Sequence, residues 1–91
     1  MNEVKCYTVA VCTISLSPFK MHKCKKALKY IATLEGFVGI HPRPEGTLCL
    51  FTSENSAKGA RNMMRAKGIQ TGKNICEVFV DERYIKENNN G

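Results

Sequence analysis

The chain has 91 residues, 43% of them apolar and 24% charged. That length allows one domain, which buries about two-thirds of the surface its unfolded chain exposes and has little interior to spare for an elaborate site. No stretch approaches the roughly 18 apolar residues of a membrane-spanning helix, and 14 Lys and Arg against 8 acids, a formal +6, favour an anionic partner without naming it.

The start, Met1-Asn2-Glu3-Val4-Lys5, lacks the charged-then-apolar build of a signal peptide. The five cysteines, Cys6, Cys12, Cys24, Cys49 and Cys76, are odd in number and form no CxxC pair. Together these features predict a cytoplasmic protein with free, buried thiols and no membrane contact.

Lys5 to Ile14 reads as a strand, with Tyr7, Val9 and Val11 on one parity and Cys6, Thr8, Ala10 and Cys12 on the other. Ser17 is a helix N-cap and Pro18 suits the first helical position, where its missing N–H costs nothing. Met21, Cys24, Ala27, Leu28, Ile31 and Leu34 recur at steps of three and four, which predicts a helix to about Leu34, closed by Glu35-Gly36. Phe37 to His41 is a second strand, Pro42-Arg43-Pro44-Glu45-Gly46 a turn, and Thr47 to Thr52 a third strand. Ser53 or Asn55 caps a second helix that ends near Lys67, with Gly68-Ile69 as a Schellman ending. Gly59 inside that helix suggests close approach of the two helices. Asn74 to Asp81 is the last strand.

The order β-α-β-β-α-β predicts an α+β, ferredoxin-like domain over residues 1–87: a four-stranded antiparallel sheet, order 4-1-3-2, with both helices on one face. Asn88 to Gly91 is polar and aperiodic, and is expected to be a disordered tail.

Nine of the fourteen basic residues fall on the two helices, against one acid, Glu54. The first helix carries Lys20, Lys23, Lys25, Lys26 and Lys29, with His22; the second carries Lys58, Arg61, Arg65 and Lys67. Lys20 and Lys23 stand where the helix macrodipole is already positive, and Arg61 and Arg65 are like charges four apart. A docked anion would relieve both. Arg43, between two prolines, protrudes enough to reach a groove. The blander alternative is a solvated charged face that keeps a small protein soluble.

If Val9, Val11, Leu48, Leu50, Val78 and Val80 face the helices, the outer sheet face holds Cys6, Thr8, Ala10, Cys12, Thr47, Cys49, Phe51, Glu77 and Phe79, joined by Phe37 and His41. That face is apolar enough to mark a protein partner or a homodimer, with Phe51, Phe79, Cys49, Thr8 and Ala10 as its contacts. A slip of one residue in one strand would undo the assignment.

Gly46 to Phe51, followed by a helix with Ala57, Ala60 and Met64, resembles the layout of an RNA-recognition-motif domain. That family stacks bases on aromatics of its third and first strands. Here those positions hold Thr47, Cys49, Thr8 and Ala10, so the resemblance extends to layout alone and membership is not claimed.

No motif for catalysis, cofactor or metal emerges. A Cys49–His41 pair on the hairpin is conceivable, but nothing in the local sequence marks it. Cys6 and Cys12 share a face about 20 Å apart and cannot hold one ion. Gly68 to Lys73 ends in the Gly-Lys of a phosphate-binding loop without its spacing or its preceding strand. The sequence therefore supports a non-enzymatic binding module. Its basic helix layer (Lys20, Lys23, Lys25, Lys26, Lys29, Lys58, Arg61 and Arg65, with Arg43) would contact a polyanion, foremost a nucleic-acid backbone. The alternative is a protein-interaction or homodimerisation module using the outer sheet face. A small accessory protein of a phage or other mobile element fits either.

Overall fold

A computed structural model describes residues 2–83. The tail expected at 88–91 lies outside them. The elements are β1 (Glu3–Cys12), α1 (Pro18–Ile31), β2 (Phe37–Arg43), β3 (Gly46–Phe51), α2 (Glu54–Ala66) and β4 (Cys76–Asp81). They form one four-stranded sheet, order β2-β3-β1-β4, with every neighbouring pair antiparallel. This is the expected order read from the other edge.

The local signals act as their chemistry dictates. The Ser17 hydroxyl accepts the Lys20 N–H at 3.2 Å and the Ser53 hydroxyl accepts the Ser56 N–H at 3.3 Å, so both helices start on a serine cap. At the end of α2 the Gly68 N–H donates to the Arg65 carbonyl and the Ile69 N–H to the Met64 carbonyl, with Gly68 at φ 76°. That is the Schellman closure the Gly-Ile pair predicts, and it drops Ile69 into the core. α1 ends three residues earlier than its apolar stripe suggests. The Thr33 hydroxyl donates to the Tyr30 carbonyl at 2.6 Å, and the Thr33 and Leu34 amides tighten to three-residue bonds. β2 runs through Pro42 to Arg43, beyond the predicted His41. It is an edge strand, so the amide that Pro42 lacks is not missed.

The core on the helix side joins Val9, Val11, Cys49 and Phe51 of the sheet to Cys24, Ala27 and Ile31 of α1 and to Ala57, Ala60 and Met64 of α2. Both helices therefore pack on one face. The side assignment of β3 and β4 is corrected. Val9 stands opposite Cys49 and Tyr7 opposite Phe51, so Cys49 and Phe51 face the helices and are fully buried, while Leu48 and Leu50 face away. Cys6 stands opposite Val78 and Val4 opposite Val80, so these valines belong to the outer face, and Phe79 and Glu77 to the helix side. On β2 a bulge between Phe37 and Gly39 changes the parity. Phe37 packs edge-on against Phe51, with ring centroids 5.6 Å apart, while His41 pairs with Leu48 and lies on the outer side.

The outer face is a second small cluster of Cys6, Val38 and Leu50, bordered by half-buried Val4, Val78 and Val80. None of the large exposed apolar side chains (Ile14, Phe19, Tyr30, Ile40, Phe79) belongs to it.

Two glycines should respond oppositely to alanine. A Cβ on Gly46 would sit 1.9 Å from the Val11 carbonyl oxygen, a backbone atom that cannot step aside. Gly59 has nothing within 4 Å of its would-be Cβ, so it serves no close helix contact. Gly46→Ala should lose about 2 kcal/mol or more, and Gly59→Ala should gain about 0.5–1 kcal/mol, as urea midpoints at unchanged slope.

Candidate nucleic-acid interface

α1 buries only Cys24, Ala27 and Ile31. At 100° per residue, Lys25, Lys26, Lys29 and His22 fall on the side away from that stripe, and all four are exposed. The ion pairs among the described residues are Lys5–Glu77, Lys58–Glu54 and Arg83–Asp81. Among the described residues no acid pairs with the α1 lysines.

Other members of the predicted set have tasks inside the molecule. Lys20 reaches the end of α2, where a Cβ on Gly68 would stand 3.7 Å from its Nζ. A cation there meets the negative end of the α2 macrodipole, which offsets the cost of its place near the start of α1. Lys23 lies over the Phe19 ring, 4.7 Å from its centroid. Lys58 pairs with Glu54 at 3.3 Å, one turn away. Arg65 holds the loop before β4: its Nε donates to Thr71 Oγ1 at 2.8 Å and its Nη2 to the Gly72 carbonyl at 2.9 Å. That loop is fixed to β1 in turn, because the Gly72 N–H donates to the Ala10 carbonyl. Arg61 is half-buried and its Nε has no hydrogen-bond partner.

The basic residues thus form two arrays rather than one layer. Lys58, Arg61 and Arg65 lie on one flank of the Ala57/Ala60/Met64 stripe, and Met63 and Lys67 on the other. Arg65 grips the loop that leads into β4, so its flank overlooks that edge of the sheet. The opposite flank faces α1 across a cleft of about 510 Å³ lined by Lys26, Ala27, Tyr30, Met63 and Lys67. Arg43, exposed at the end of β2 opposite Gly46, sits on the outer side of the sheet, and the fold does not bring it to the lysines.

The predicted partner contacts are dispersed. Phe51 and Cys49 are core residues, Thr8 is buried and its hydroxyl donates to the Cys76 carbonyl, and Ala10 is exposed. Phe79 is 63% exposed, but from the helix side of an edge strand. The residues missed are Tyr30 and Met63. The available signal was Tyr30, which stands one step off the apolar stripe of a lysine-rich helix.

The thiols are unpaired but not uniformly buried: Cys6, Cys24 and Cys49 are buried, Cys12 is partly exposed and Cys76 exposed. His41 and Cys49 occupy opposite sides of the sheet and cannot meet. Burial, reinforced by the neighbouring Cys24, pushes the Cys49 thiol up to about 12, and burial also raises Cys6 and Cys24. A thiol so placed is not a nucleophile near neutral pH. No group of three His, Cys, Asp or Glu that could hold a metal occurs among the described residues, and no described helix is long and apolar enough to cross a membrane. No protein-family model, curated protein or solved structure matches the chain.

The thiols make a direct test of this arrangement. A thiol-specific chromogen should modify Cys76 quickly and Cys12 more slowly, with Cys6, Cys24 and Cys49 reacting only on unfolding. Unfolded thiols ionise near their ordinary value of 9.0, whereas folded Cys49 stays neutral to about 12. The neutral thiols therefore place no pH dependence on stability below 9.0, and stability falls between 9.0 and about 12 as the unfolded state releases protons first. Urea midpoints measured on both sides of that lower limit should show the fall. A flat profile would contradict burial of these thiols.

Proposed function

We propose that the protein is a non-enzymatic binding module with a ferredoxin-like fold, and that it binds a nucleic-acid backbone along the exposed side of α1. The observation that carries this reading is the row Lys25, Lys26 and Lys29, joined by Lys67 across the cleft, with no ion-pair partner among the described residues. Like charges held this close on one small surface repel each other, and phosphates relieve that repulsion while releasing their own counterions. Contacts of this kind fix position and carry no sequence code. Five unpaired thiols fit a reducing, cytoplasmic setting. The outer sheet face lends the alternative partner reading little support, because its large apolar side chains are already buried or half-buried.

Fluorescence anisotropy with duplex DNA, single-stranded DNA and RNA at about 50 and 200 mM salt tests the proposal, since several neutralised phosphates cost orders of magnitude over that range. The combined Lys25→Gln, Lys26→Gln and Lys29→Gln variant should flatten the logarithmic salt slope by about 3. Lys58→Gln, which removes a cation already paired with Glu54, should leave the slope nearly unchanged. Absence of binding at the lower salt would reject the reading.

A further inference from the structure

The cleft between α1 and α2 combines two kinds of surface. Its floor is apolar, with buried Ala27 and half-buried Met63, and the Tyr30 ring stands in it 56% exposed. Lys26 on one helix and Lys67 at the end of the other supply its charge, and no carboxylate lines it. A simple anion would use the two ammonium groups and leave the apolar floor wet. A neutral apolar ligand would cover the floor and leave the two cations unmatched. A flat apolar ring with negative charge on either side satisfies both parts.

Size narrows the choice. About 510 Å³ lies within the range of small-ligand sites, roughly 300–1,000 Å³, and accommodates a base with its sugar.

The surroundings single out Tyr30. Phe19 is 67% exposed and eleven residues before Tyr30. Eleven residues return a helix to nearly the same angle, so the two side chains leave α1 along one line about 16 Å apart, but Lys23 covers a face of the Phe19 ring, which leaves Tyr30 as the open ring beside Lys26. An open aromatic ring flanked by cations is what single-stranded nucleic acid binds. A base stacks on the ring, and the backbone follows the charge.

We infer that this cleft is a base-stacking subsite for single-stranded nucleic acid, with Tyr30 as the stacking platform and Lys26 and Lys67 holding the flanking phosphates. The inference rests on the backbone-binding reading above and adds to it a preference for unpaired strands, because a duplex keeps its bases in its own stack.

The test compares a labelled oligothymidylate, an abasic deoxyribose-phosphate oligomer of the same length and a duplex, by anisotropy at low salt. The thymidylate should bind about tenfold or more tightly than the abasic chain. Tyr30→Ala should abolish that difference and Tyr30→Phe should keep it, with duplex binding unchanged in both. Tyr30 is largely exposed, so neither variant removes a core side chain. Equal binding of the thymidylate and abasic chains by the unsubstituted protein, or a difference that survives Tyr30→Ala, would overturn the subsite and leave backbone binding intact. Equal binding of the two chains combined with tight binding of an acidic amphipathic peptide, lost in Tyr30→Ala, would assign the cleft to peptides instead. Failure of all three nucleic-acid probes to bind would overturn both readings.

Discussion

The pairing of β1 with β3 decides which side of every central residue meets the helices. Val9 opposite Cys49 and Tyr7 opposite Phe51 put two β3 side chains with no exposed surface into the core. A shift of one residue would send both to the other face and bring Leu48 and Leu50 in. The register is held at each end by a different device. At one end Gly46 lies so close to the Val11 carbonyl that no side chain fits between them. At the other, Phe51 fills the corner between Tyr7 and Phe37, and its edge-on contact with Phe37 ties the hairpin to the same side of the sheet.

The position of the candidate site follows from that choice. With Cys49, Val9 and Phe51 filling the space under the helices, α2 lies over β1 and β3, and α1 packs beside α2. α1 presents only Cys24, Ala27 and Ile31 to the core, the first two of them small, so most of its circumference remains in water. That is why a lysine-rich helix suits this place in the fold: a wider apolar stripe would have buried the flank that now carries Lys26 and Tyr30. The cleft is the seam left where two helices meet over small residues.

What the sequence makes legible is what is local. Ser17, Ser53, Pro18 and the Gly68-Ile69 ending each act through bonds to residues within a turn or so, and each behaves as its chemistry implies. The element order, and with it the strand order, rests on the change of apolar period along the chain. The face assignment is different in kind. Leu48, Cys49, Leu50 and Phe51 are apolar on both parities, because this central strand is buried on both sides, so no alternation marks the side that meets the helices. The bulge at Val38 hides the parity of β2 in the same way: two consecutive apolar residues each find a core of their own. The cationic residues were legible as a set and not as an arrangement. Spacing puts Lys58, Arg61 and Arg65 on one stripe, but only the packing of α2 shows that this stripe overlooks the β4 edge while Met63 and Lys67 face α1.

The charge of +6 is thus divided between two tasks. Lys20 at the end of α2, Arg65 on the loop before β4, Lys5 with Glu77 and Lys58 with Glu54 each meet an opposite charge, a dipole or a hydrogen-bond acceptor within the fold. Exposed pairs of this kind add little stability, but they consume the cations that take part in them. Among the residues without an ion pair, Lys25, Lys26, Lys29 and Lys67 lie where α1 faces solvent and on the rims of the cleft, while Arg43, Arg61 and Lys73 stand elsewhere. Net charge on its own says only that the protein repels itself and attracts anions from every direction. Separating the cations that position loops and helix ends from those that do not turns that general attraction into a local one. It also explains why the exposed aromatic of the cleft matters: a lysine row alone would be indistinguishable from a solvated helix face, whereas a ring exposed between two such cations, over an apolar floor, gives the surface a chemistry that water does not satisfy.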